Sequence, residues 1–65
     1  MQARQVREAL GLSLIQVAVG AQKAENTVRL YEANPTAVNR KSRAALDAYY
    51  AGLREHLPSM EARAL

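Results

Sequence analysis

Apolar residues return along this chain at three- and four-residue steps, the spacing of helices that bury one face. The steps are clearest at Leu46, Tyr49, Tyr50, Leu53 and Leu57, with Ala45 and Ala48 beside them, and predict a long helix over 40–57. Val6 and Leu10, flanked by Ala3 and Ala9, predict a first helix over 2–10. Gly11 then ends it, as a glycine just past a helix terminus commonly does. Arg4, Arg7 and Glu8 fall off the apolar face. Arg4 and Glu8 are spaced to pair, and Arg4 and Arg7 read as a solvated face, with a phosphate contact as the alternative.

Residues 12–32 between these helices, LSLIQVAVGAQKAENTVRLYE, read as two short helices around a tight connection at 20–23. Ser13 opens the first, its hydroxyl placed to satisfy a free backbone N–H, and Leu14, Val17 and Ala18 form its inner face. The second starts near Ala24 and turns Thr27, Val28 and Tyr31 inward. Glu25, Asn26, Arg29 and Leu30 are left outward, and Glu32 closes the helix. Helices this short are marginal alone, so the flanking helices have to cover them.

Residues 33–36, Ala-Asn-Pro-Thr, read as a loop, because Pro35 disfavours helical geometry at Asn34. Val38 returns to the core and Asn39 caps the long helix. Its first turns hold Arg40, Lys41 and Arg43, cations that oppose the helix dipole, so local helix energetics does not account for them. Arg43 has Asp47 four residues on, spaced to pair. Of the neighbours Tyr49 and Tyr50, one faces the core and the other a groove or interface. His56 reads as solvated. Pro58 stops or bends the helix, and SMEARAL after it is helix-prone with Met60 and Ala64 on one face. That tail is either a frayed end or a small fifth helix used in dimer contact. The expected fold is all-α, a compact bundle of four short helices, five if the tail folds, with a domain over 1–57 and a tail over 58–65.

Sixty-five residues make one small domain, near the lower limit for folding without staples. There is no cysteine and a single histidine, so neither disulfides nor a zinc site is expected. The carboxylates are scattered over outward positions, without the nucleophile and base that catalysis needs. No enzyme activity, metal or cofactor is therefore expected. No apolar run reaches spanning length and no signal-peptide core precedes residue 14, so the expected location is cytoplasmic, with no membrane partner. The Ala- and Arg-rich composition fits a GC-rich bacterial or phage genome. A formal net charge of +3 and a pI near 9.8 suit a polyanionic partner, though many proteins without one share them.

The succession Gly11-Leu12-Ser13, Val17-Ala18, a turn at 20–23, Ala24, Thr27-Val28, Arg29-Leu30 and Tyr31-Glu32 resembles the helix-turn-helix of the Xre/Cro family of phage-repressor-like DNA-binding domains. The spacing from Ala18 to Glu32 matches that family without a gap, and the resemblance spans about residues 3–57. It implies a lambda-repressor-like fold with residues 24–32 as the recognition helix in the major groove. It also implies double-stranded DNA as partner, a palindromic operator and a homodimer. Three positions depart from the family. Gln22 stands at the usual turn glycine, with Gly20 two residues earlier, Lys23 at the usually apolar position after it, and Leu14 where many members carry a DNA-contacting Gln.

On this reading Asn26 and Arg29, three apart on one face, are the foremost candidates for base contacts, since Asn pairs bidentately with adenine and Arg with guanine. Glu25 accepts from cytosine N4 or, more plainly, favours the helix N-terminus electrostatically. Leu30 meets a thymine methyl, packs beneath the following loop, or belongs to a protein interface. Ser13, Gln16, Lys23, Thr27, Asn39, Arg40 and Lys41 are candidate phosphate contacts. Ser13 and Gln16 stand where free N–H groups favour a phosphate, and Thr27 has a mainly structural alternative. The expected function is a sequence-specific DNA-binding transcriptional regulator of repressor type. The alternatives are a protein-interaction module on the same fold, antiactivator- or antitoxin-like, for which Leu14 and Leu30 speak, and a DNA-binding accessory factor such as an excisionase or packaging adaptor.

Overall fold

Four α-helices follow one another in the computed structural model, which describes residues 2–57: α1 (Ala3–Ala9), α2 (Leu14–Ala21), α3 (Glu25–Ala33) and α4 (Arg40–Arg54). A 3₁₀ turn, Pro35–Ala37, joins the last two, and no strand occurs among the described residues. The tail at 58–65, with Pro58, Met60 and Ala64, lies outside the described residues. No helix among the described residues is long and apolar enough to cross a membrane.

Polar side chains set the helix starts. Ser13 Oγ accepts from Gln16 N at 3.2 Å, while Gln16 Oε1 accepts from Ser13 N at 2.7 Å, a reciprocal capping box. Asn39 Oδ1 accepts from Ser42 N at 2.8 Å and opens α4. Asn34 Oδ1 accepts from Thr36 N at 3.2 Å and from Thr36 Oγ1 at 2.8 Å, which winds the expected loop into the 3₁₀ turn. The regular part of α4 stops at Arg54, three residues short of the sequence expectation, and tightens into bonds from Glu55 N to Gly52 O and His56 N to Leu53 O.

The connection between α2 and α3 falls within and just after the expected 20–23, without Gly20 and Ala21, which remain in α2. Gly20 is helical, and the left-handed residue is Gln22, at φ 58° and ψ 45°. Lys23 N donates to Ala18 O at 2.9 Å and Gln22 N to Val19 O at 3.2 Å, the two bonds of a Schellman end. Gly20 has a different task, because a Cβ there would fall 2.2 Å from the Tyr49 hydroxyl. The missing side chain makes room for that ring. A left-handed non-glycine residue costs about 1–2 kcal/mol, and glycine's added chain entropy returns ~0.5–1 of that. Gln22→Gly is therefore expected to raise stability by about 0.5–1 kcal/mol. Thermal unfolding followed by circular dichroism checks this, and a lower midpoint refutes the strain at Gln22.

The core consists of Val6, Val17, Ala18, Val28, Tyr31, Val38, Leu46 and Tyr50. Leu14, Tyr49, Leu53 and Leu57 pack at its edge, so Tyr50 is the inward tyrosine and Tyr49 the peripheral one. With no Phe or Trp available, the tyrosines carry the aromatic mass. Tyr31 stacks on Tyr50 with centroids 5.4 Å apart, and Tyr49 meets Tyr50 edge-on at 6.3 Å. A buried phenol needs a partner. Tyr31 donates to Asp47 Oδ1 and Tyr50 to Glu32 Oε2. Burial first, then the bond to Asp47, pushes the Tyr31 phenol up to about 12. Burial and Glu32 push Tyr50 the same way, so both phenols stay protonated donors through the ordinary pH range. Asp47 thus serves Tyr31, and the expected Arg43–Asp47 pair does not form.

Arg7 overturns its reading as a solvated residue. Its Nε and Nη2 donate to the two oxygens of Glu32 at 2.7 and 3.1 Å, and its Nη1 to the carbonyl of Leu12 at 3.0 Å. The Arg7 and Glu32 side chains are only 12% and 6% exposed, and the bond to Glu32 raises the Arg7 pKa. Glu32 therefore does more than end α3: it ties α3 to α1 through Arg7 and to α4 through Tyr50. The Arg4–Glu8 pair forms as expected, at 3.4 Å on the exposed surface.

Candidate nucleic-acid interface

The inner side of α3 is fixed by Val28 and Tyr31, at 0% and 4% exposure, and by the paired Glu32. The helix starts without a side-chain cap, from an extended Ala24, and Glu25 supplies a negative charge to its first turn. Glu25, Asn26, Arg29 and Leu30 are exposed on the outer side, as the spacing predicts, and Thr27 is half-buried. Asn26 makes no side-chain hydrogen bond among the described residues, leaving its amide donor and acceptor open. Arg29 Nη2 donates to Glu25 Oε1 at 2.9 Å, a pairing the sequence reading did not single out although the two stand four apart. Leu30 is 43% exposed.

An open cleft of about 260 Å³ lies beside this face, lined by Arg4, Arg7, Leu14, Arg29, Glu32 and Ala33. It brings the first turn of α2 and the outer side of α3 onto one surface with α1. Leu14, half-buried against the core in keeping with its place on the inner face of α2, also contributes to the wall of this cleft, which gives the protein-docking reading less support there. A second cleft, of about 330 Å³, is lined by Gln2, Ala3, Tyr31, Glu32, Ala33, Pro35 and Arg54. Neither lining holds a Ser, Thr, Cys, Lys or His that a carboxylate could activate.

The candidate phosphate contacts sit at helix ends. Ser13 and Gln16 are exposed at the start of α2; the capping box uses Ser13 Oγ and Gln16 Oε1 as acceptors and leaves the hydroxyl and amide hydrogens to donate outward. Asn39 likewise spends its oxygen on the cap of α4 and keeps its NH₂ group, with Arg40 and Lys41 exposed next to it. Arg43 is half-buried. Lys23 is half-buried too, and its backbone closes the turn. The sequence reading missed Ile15 and Val19, which stand four apart on α2 at 58% and 74% exposure. The signal was there, since Ile15 and Val19 at i, i+4 lie beside the inner face of Leu14, Val17 and Ala18 and make α2 apolar over more than one face. Neither a family model, a curated protein nor a solved structure matches the chain.

Proposed function

We propose that this protein is a sequence-specific, double-stranded-DNA-binding transcriptional regulator of the repressor-like Xre/Cro kind, acting in the cytoplasm of a bacterium or phage-infected cell. Supporting this most directly is the outer side of α3, where an open amide, a guanidinium, a carboxylate and an aliphatic side chain project from a helix pinned on its inner side. These are the groups that read base edges in the major groove. Asn26 pairs with adenine and Arg29 with guanine, Leu30 meets a thymine methyl, and Glu25 stands next to them. Ser13, Gln16, Lys23, Thr27, Asn39, Arg40 and Lys41 hold the backbone, positioning the helix without reading sequence. One module this small makes few base contacts, so two copies on an inverted repeat supply the specificity.

The exposure of Ile15 and Val19, with Leu30, favours a second reading: a protein-interaction module that keeps the fold and does not read DNA. Selection from a random duplex pool at several salt concentrations separates the two. The DNA reading expects one enriched motif, arranged as an inverted repeat. Asn26→Ala should cost about 1–3 kcal/mol of discrimination at one base pair. Arg40→Ala should reduce the salt slope by about one unit with little change in selectivity. Weak binding without a motif at every salt concentration refutes the DNA reading and leaves the partner-protein reading standing.

A further inference from the structure

We infer that Glu25 and Arg29 act as one unit that reads a single C·G base pair, an inference that rests on the DNA-binding reading above. The two side chains are joined at 2.9 Å while remaining 44% and 59% exposed, on the helix face that carries the candidate base contacts. An exposed pair of this kind adds little to stability, so the fold does not depend on it. Its effect on the face is chemical. Glu25 Oε1 is occupied by Arg29 Nη2, which leaves Oε2 as an acceptor beside the remaining donors of the guanidinium. The unit therefore presents an acceptor next to two donors.

A C·G pair presents the complementary order in the major groove: the N4 amino donor of cytosine, then the O6 and N7 acceptors of guanine. At an A·T pair the adenine amino group lies between two acceptors, so only one guanidinium donor finds a partner beside the carboxylate, and the thymine methyl crowds the far side. The pairing also restrains each member. A lone carboxylate in the groove faces phosphates and is repelled by the acceptor edges of guanine and thymine, and Arg29 lessens that penalty. A lone guanidinium is attracted to any phosphate, and Glu25 holds it at the base edges. Glu25 is thus a positioning residue for Arg29 and an acceptor for cytosine together. The outer side of α3 is formally neutral as a result, and Arg40 and Lys41 carry positive charge outside it.

The test is a duplex selection with the wild type, Glu25→Gln, Arg29→Gln and the double variant, followed by titration on the best site and its single-base-pair variants. Circular dichroism melts confirm that each variant folds. The expected result is one position fixed as C·G in the wild type, with each single substitution lowering the preference at that same position about tenfold. The double variant should lose no more than Arg29→Gln alone, since coupled groups are not additive. Glu25→Gln should also tighten binding to unrelated DNA. A shift in melting temperature with base preference unchanged would mean that Glu25 serves only the helix, and would overturn the inference. Losses at two different positions, or losses that multiply, overturn it as well while leaving the DNA reading intact. A wild type that enriches no motif removes both.

Discussion

Glu32→Ala is expected to cost about 3–5 kcal/mol, the usual result of stripping one partner from a buried ion pair. A domain of this length has a total stability of roughly 3–10 kcal/mol, so the variant should lose about a third or more of its stability. The loss has two sources. Arg7, 12% exposed, would keep only the Leu12 carbonyl as acceptor, and the buried Tyr50 phenol would lose its own. Breaking the pair and replacing it are different operations. Arg7→Met with Glu32→Leu and Tyr50→Phe removes the charges and the phenol together, and should recover most of the stability because no buried polar group is left unpaired. Urea denaturation of the single and triple variants measures both. A loss below about 1 kcal/mol for Glu32→Ala would place Glu32 among ordinary surface pairs.

Leu46→Ala is expected to cost about 2–5 kcal/mol, the range for truncating a fully buried leucine. Leu46 is 0% exposed in the middle of α4, the helix against which α1, α2 and α3 all pack. A cavity there touches several interfaces at once and has little scope to collapse. Leu46→Met keeps the volume and should cost less than about 1.5 kcal/mol. Leu30→Ala, at a 43% exposed leucine, should stay within about 0.5 kcal/mol of wild type. Denaturant unfolding of the three variants ranks them. Leu46→Ala behaving like Leu30→Ala would contradict the packing of α4.

What the sequence made legible was what depends on near neighbours. Ser13 and Asn39 announce their helices because their partners lie three residues on, at Gln16 and Ser42. Gly11 marks the end of α1 because its φ of +71° suits glycine. Val28, Tyr31, Leu46 and Tyr50 follow the helical period and are buried. Arg7 escaped because its partner is 25 residues away, and a local pattern shows only an arginine off the apolar face. Arg43 was the one partner that spacing offered Asp47, for the same reason: a pattern along α4 could not reveal the Tyr31 hydroxyl. The turn after α2 was drawn over 20–23, and its left-handed residue is Gln22 within that stretch; Gly20, included in the turn, is helical and answers to Tyr49 from another helix. On the candidate site, the outward set on α3 was legible from periodicity, and the state of its members was not. Arg29 engages Glu25, while Asn26 stands open.

The inner and outer sides of α3 divide the helix between two kinds of demand. Val28, Tyr31 and Glu32 hold it to the rest of the chain, while Glu25, Asn26, Arg29 and Leu30 are all exposed. Exchange of the outer four therefore leaves the folding equilibrium nearly untouched, since surface positions away from special features change it by about 0.5 kcal/mol or less. Under the proposed DNA-binding function, substitutions among these four would change what is read without passing through unfolded intermediates, and a set of variants diversified at four codons would share nearly one melting temperature.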